Sequence, residues 1–245
     1  MTRSAPPSAG YARHRPLWTR PGFVAAAALV AVVVIVAVVI ALTTHGSNST
    51  SPPVIGTTGS GGGGGSPIVA ATAVPTAAPA GIAWRLFGQV ALPYSTSAGP
   101  NTVTATTASG YEHSPVGALI AAAQLSTRSG LSSGRSSYDP TIENQFVPSP
   151  DRDALLAALH NAPQESAAPG ELAQIAGFIY QAYSPDTAVV GLVSRGSAAD
   201  SYFVTTLTVQ WRDGDWRMVA PPGGSWLSLT RQAPDLTGVV PWGAH

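Results

Sequence analysis

The sequence predicts an α+β protein: a membrane-spanning helix near the N-terminus, a disordered linker, and one external domain of helices packed on an antiparallel sheet. Three observations carry this. Residues 23–42, FVAAAALVAVVVIVAVVIAL, contain no polar or charged side chain. Residues 43–80 are a Gly, Ser, Thr, Pro and Ala mixture without hydrophobic periodicity. Residues 81–245 then alternate helix-start signals with long strand patterns and close on the turn sequence RDGDWRM at 212–218.

Twenty apolar residues make about 30 Å of helix, one hydrocarbon thickness. A cleaved signal peptide would carry an apolar core of about 7 to 15 residues followed by a small-residue cleavage site, so a retained anchor is the reading adopted. Arg3, Arg13, Arg15 and Arg20 precede the span with no acid among them, and the next arginine is Arg85. The excess of cations before the span places residues 1–22 as a basic cytoplasmic tail and the C-terminal domain outside the cell membrane, in a single-pass protein. The linker, with five glycines at 61–65, cannot bury enough surface to offset its ordering entropy. A coil of this length reaches roughly 30 to 40 Å. It holds the domain beside the membrane, where a binding surface gains local concentration.

Composition narrows the chemistry. All twelve basic residues are arginine and there is no cysteine. The first fact suggests a high-GC bacterial source, and the second removes disulfides, thiolate metal sites and cysteine nucleophiles. The external domain holds eight arginines against twelve acids, a net −4. Direct nucleic-acid binding needs clustered cations and is therefore disfavoured.

Within the domain, Ile82–Pro93 reads as extended, with Pro93 ending the strand. Ser114 and Pro115 offer an N-cap and first-turn proline for a short core helix over 116–125, whose alanines permit close packing. Ser149, Pro150 and Asp151 start a second helix that runs to Asn161, with Leu155, Leu156 and Leu159 as its buried stripe. Leu172, Ile175, Ile179 and Tyr183 follow a helical period and predict a third helix over 170–183. Residues 127–147 read as a long loop. Residues 189–194 and 202–212 read as strands, the second placing Phe203, Thr205, Leu207, Val209 and Trp211 on one face.

The two aspartates of RDGDWRM admit two readings, an acidic catalytic pair or a turn. If Asp213 and Gly214 are the centre of a two-residue hairpin, Trp211 falls opposite Trp216, Val209 opposite Met218 and Leu207 opposite Ala220. A slip of one residue would expose Trp216 and Met218, so the turn is favoured. Asp215 then faces Arg212 as an exposed pair worth on the order of 0 to 1 kcal/mol.

No motif specifies a reaction. There is no nucleophile elbow, phosphate loop or dinucleotide fingerprint. His113 and His160 lack the spacing of a helical metal motif, so no metal site and no cofactor is expected. Glu112 and His113 sit where a base could act but read as a solvated loop. Glu112, Glu143 and Asp186 are the carboxylates a wall-polymer hydrolase would use if two shared one cleft. No catalytic residue is assigned. In the apolar C-terminal segment 221–245, Trp242 is read as packing back on the domain rather than anchoring a partner.

Leu92 and Pro93 before Gly99 and Pro100, GYEHSPVGALIAAA at 110–123, DGDWRM at 213–218 and GVVPWG at 238–243 resemble a family of single-pass envelope proteins of high-GC Gram-positive bacteria associated with conjugative elements. The domain is also distantly similar to the inner-membrane scaffold subunits of type IV secretion. That resemblance implies a cystatin-like roll, with helices packed on a curved antiparallel sheet, and a role in assembling a channel. The resulting expectation is a non-enzymatic, membrane-tethered scaffold or accessory subunit of a conjugation- or secretion-type assembly. It would contact other envelope proteins and form a homo-oligomer. The alternative is an extracytoplasmic module that binds a small or cell-wall ligand in a concave pocket between sheet and helix.

Overall fold

In the computed structural model, residues 73–164, 167–198 and 201–244 are described. The expected basic tail, the span at 23–42 and the linker as far as residue 72 lie outside them. Residues 73–80, the end of the expected linker, form no helix or strand. Among the described residues no helix is long and apolar enough to cross a membrane.

The domain is α+β, with three α-helices and mostly antiparallel sheet. A hairpin, β1 (Ile82–Phe87) and β2 (Val90–Ser95), opens it, followed by a short pair, β3 (Thr102–Val103) and β4 (Ala108–Ser109). Three helices come next: α1 (Pro115–Arg128), α2 (Arg135–Gln145) and α3 (Pro150–Asn161). A meander follows, β5 (Gln174–Ser184), β6 (Thr187–Arg195), β7 (Tyr202–Arg212) and β8 (Asp215–Met218), and the chain closes with β9 (Thr230–Ala233) and β10 (Val240–Pro241). The main sheet has the order β10-β5-β6-β7-β8, and β9 pairs with the half of β7 that β8 leaves free.

Helix α1 is the centre of the core. Ser114 caps it by accepting the Gly117 amide at 3.1 Å. Leu119, Ile120, Leu125 and the four alanines at 118 and 121–123 are all fully buried. A fully buried Leu or Ile contributes about 1.5 to 3 kcal/mol of transfer free energy. Gly117 is required by closeness: a Cβ there would overlap the Glu112 carbonyl. Against α1 pack Val190 and Leu192 of β6, Leu207 and Val209 of β7, and Trp216 and Met218 of β8. Tyr111 and Tyr180 are also in this layer. Burial first, and then the Asp215 charge, push the Tyr111 phenol well above its ordinary range. Burial does the same to Tyr180. On the reverse face Val193, Val204 and Ala233 form a smaller cluster with Ile179, Leu236 and Val239.

The DGD hairpin has the expected register, Val209 opposite Met218 and Trp211 opposite Trp216. Asp213 and Gly214 both adopt left-handed backbone, with φ of 53° and 79°. These are the angles a two-residue type I′ turn requires. Asp215, however, is not an exposed partner of Arg212. Its carboxylate accepts the Gly110 amide at 2.8 Å, the Tyr111 amide at 3.0 Å and the Trp216 amide at 2.9 Å. It therefore ties the segment that enters α1 to the hairpin. Arg212 turns instead to Gln210.

Three other expectations are corrected. Residues 170–183 do not form a helix; most of them are strand β5. Two β-bulges, between Ile175 and Gly177 and between Tyr180 and Ala182, each insert one extra residue into β5 and shift its alternation. The core-facing set becomes Ile175, Phe178, Tyr180 and Tyr183, with two three-residue steps that a helical period also contains, while Ile179 of the expected stripe packs on the reverse face. Pro93 does not end a strand but lies within β2 opposite Trp84. The expected loop 127–147 contains helix α2. Its buried stripe of Ser137, Tyr138, Thr141, Ile142 and Gln145 is largely polar, and Pro140 interrupts its helical signal. The C-terminal segment folds back as expected. Trp242 is 3% exposed, edge-on to Trp84 at 5.0 Å and Phe178 at 5.6 Å.

Candidate functional site

Helix α1 stops at Arg128 before it has covered the whole sheet, and the chain turns away through Ser129–Gly134. Two adjoining cavities, of about 330 and about 290 Å³, fill the space left between this helix end, the β1–β2 hairpin and the sheet. They share Val90, Thr127, Ser132 and Leu172. The larger is walled by Phe87 and by the hydroxyl residues Thr106, Ser133, Ser136 and Ser137. The smaller is apolar, with Ile175, Leu192, Leu207 and Trp226, and has Ser194 and Thr205 at intervals. The strand period produces this lining, because Leu192 with Ser194 and Thr205 with Leu207 are two apart and share the inward face. Among the described residues no charged side chain lines either cavity.

This is a cleft of mixed lining, apolar toward the sheet and rich in hydroxyl residues toward Ser132–Ser137, and apolar walls with polar groups set among them are common to small-molecule sites. Trp211 and Trp216 do not fill it. They stand near the opposite end of α1, where the Trp216 indole donates to the Glu112 carbonyl at 2.9 Å.

Arg128 lies behind the larger cavity. It is 1% exposed. Its Nε donates to Gln124 Oε1 at 3.0 Å and its Nη2 to the Tyr94 hydroxyl at 3.2 Å. The guanidinium carbon sits 4.1 Å from the Phe87 ring centre. Its Nη1 has no acceptor, and Thr141 Oγ1 and Gln145 Oε1 on α2 are also buried without partners.

The sequence-nominated residues are placed as follows. The His113 ring stacks on Trp211 with centres 4.1 Å apart and planes 5° from parallel. Its Nε2 lies 2.6 Å from the Pro185 carbonyl, an acceptor, so that nitrogen carries the proton. Asp186 stands 3.8 Å from the same nitrogen, with its side chain 80% exposed. Glu112 accepts the Ser114 hydroxyl at 2.6 Å. Burial first, then the charges of Asp186 and Glu112, raise the Tyr183 phenol. Two of the three nominated carboxylates therefore gather around His113 and Tyr183, but neither lines a described cavity, and Glu143 is exposed on α2. His160 is elsewhere, bonded at 2.6 Å to Asp139, which Arg135 also contacts at 3.0 Å. Burial works to raise the Asp139 carboxyl, and the hydrogen bonds from His160 and Arg135 outweigh it, so the group lies below its ordinary value. This cluster clasps α2 to α3. Among the described residues no three His, Asp or Glu side chains converge as metal ligands.

The cleft residues Phe87, Ser132 and Ser133, and Arg128 beside them, were not nominated by sequence. The available signal was the hydroxyl-rich run STRSGLSSGRSS at 126–137, which reads as a loop until its position over the sheet is known.

The family described as "Domain of unknown function (DUF8175)" matches residues 46–241. The chain belongs to that family. No curated protein and no solved structure matches it. The DUF8175 match takes in both cavities, Arg128, the His113 cluster and the DGD hairpin together.

Proposed function

We propose that this DUF8175 chain is a non-enzymatic, membrane-tethered accessory subunit of an envelope assembly of the conjugation or secretion type, and that its external domain works by binding. The fold proposed for that domain is a cystatin-like roll, with α1 held across the concave face of the main sheet. The apolar run at 23–42 with four preceding arginines supports the anchor, and the residues before 81 support the leash.

The observation that carries the binding reading is the open cleft beside the end of α1. It combines apolar walls with hydroxyls and is left unfilled by the tryptophans at the other end of the helix. Small-ligand capture is the form of the proposal this geometry favours. Native mass spectrometry of the full-length protein released from solubilised membranes tests it. A co-purifying small molecule is expected, and it should be lost on Leu192→Trp, which fills the smaller cavity. A bare polypeptide mass from both proteins would count against ligand capture.

A second reading, protein scaffolding, is favoured by Leu227, which is 86% exposed beside the cleft, and by Leu86, which is 74% exposed on β1. Exposed apolar side chains that serve no core are candidates for interface anchors. Retrieval of only monomer, with no other envelope protein, from solubilised membranes would count against scaffolding.

A further inference from the structure

Arg128 presents a buried charge with no ionic partner among the described residues. A guanidinium cannot shed its proton, and taking an ion out of water costs several kcal/mol unless it is paired. Among the described residues no carboxylate lies within ion-pair distance of Arg128. Neutral partners, Gln124 and Tyr94, occupy two of its nitrogens, and Nη1 has none. Arg128 ends α1, where a cation is favoured by the helix dipole. Its side chain, however, runs back to Gln124, one turn toward the N-terminus, and leaves the last carbonyls to others.

Part of what surrounds Arg128 is wall of the larger cavity, chiefly around its backbone. The hydroxyls of Ser133 and Ser137 donate to its carbonyl at 2.7 and 3.3 Å, Thr127 precedes it, and Phe87 covers its guanidinium. All four also line the cavity, in whose walls there is no acid among the described residues. Phe87 thus both packs on the guanidinium and lines the cavity.

We propose that the larger cavity receives the headgroup of a small organic carboxylate. The carboxylate pairs with Arg128 once the Phe87 ring swings aside, and the apolar remainder lies in the adjoining cavity against Leu172, Leu192 and Trp226. This proposal rests on the reading of the cleft as a binding site. A charge-assisted hydrogen bond in a site shielded from water separates an anion from its neutral analogue by about tenfold or more.

The test compares hexanoate with hexanamide, which share a tail and differ in charge, by calorimetric titration of the full-length protein in detergent with matched blanks. Wild type is expected to prefer hexanoate at least about tenfold. Arg128→Gln should bring the ratio close to one while hexanamide still binds. Phe87→Ala, which uncovers the guanidinium, should raise the ratio. Equal binding of the two probes by wild type would overturn the carboxylate site and leave the cleft reading standing. Binding of neither would overturn both. A preference that survives Arg128→Gln would overturn the role of Arg128. If thermal melting shows Arg128→Gln to be unfolded, an unchanged ratio in Phe87→Ala decides against the proposal.

Discussion

Replacing Asp215 by alanine should destabilise the domain far more than any change at Asp213, although the two residues are separated by one glycine. Asp215 accepts three backbone amides, from Gly110, Tyr111 and Trp216, at 2.8 to 3.0 Å. Two of them cross from the segment that leads into α1, more than a hundred residues away in sequence. Stranding a buried donor costs about 1 to 3 kcal/mol, and hydrogen bonds to a charged group contribute about 1.5 to 3 kcal/mol each. Water can reach part of this site, so a loss of about 3 to 5 kcal/mol is expected for Asp215→Ala. Asp215→Asn keeps one acceptor oxygen but aims an NH₂ at a donor, and about 2 to 3 kcal/mol should be lost. Asp213, 81% exposed in its side chain, is held by its left-handed backbone, which asparagine also tolerates. Asp213→Asn should stay within about 0.5 kcal/mol of wild type. Urea unfolding followed by tryptophan fluorescence measures all three, since Trp216 adjoins the clamp. If Asp215→Ala and Asp213→Asn had the same midpoint and slope, the clamp would be energetically irrelevant and the reasoning refuted.

Trp242→Ala should cost about 3 to 5 kcal/mol, because it vacates a site between Trp84 and Phe178 and frees the C-terminal segment; denaturant midpoints measure it, and a shift under about 1 kcal/mol would mean the segment is not docked. Gly117→Ala, normally favourable in a helix, should instead destabilise strongly, because the new Cβ meets the Glu112 carbonyl; a rise in melting temperature would contradict that packing. The Asp139 clasp should be sensitive to acid. Its carboxyl lies below its unfolded value, so its stabilisation is complete above the unfolded pKa of about 4 and disappears as pH falls through the folded value. The group is near solvent, which limits the effect to under about 1 kcal/mol. Melting curves of wild type and Asp139→Asn should therefore be furthest apart above pH ~4 and draw together only as pH falls below that toward the folded value, and a constant gap would argue against the clasp.

Local rules were legible where backbone chemistry acts within a few residues. Ser114–Pro115 and Ser149–Pro150 announced α1 and α3, and Asp213–Gly214 fixed the register of β7 against β8. The rest depended on tertiary context. Bulges in β5 put three-residue steps between Ile175 and Phe178 and between Tyr180 and Tyr183, and Ile179, on the reverse face, completed a helix-like period in a strand that is apolar on both sides. Helix α2 was hidden because three of its five buried residues, Ser137, Thr141 and Gln145, are polar, so its inward stripe carries little hydrophobic period. Asp215 looked like half of an exposed ion pair because nothing local shows that the Gly110 and Tyr111 amides arrive from elsewhere. The cleft was invisible for the same reason. It exists because α1 ends at Arg128 while the sheet beneath continues, and the serines of 126–137 become a wall only when that mismatch is known.

The most direct test of a binding role is a high-resolution map of the full-length protein isolated from its own membranes. Density for a bound small molecule is expected in the cleft, with its anionic end toward Arg128 and its apolar part beside Leu192 and Trp226. A cleft closed by Phe87, Leu172 and Trp226 meeting across it, with no room for a guest, would contradict the binding role.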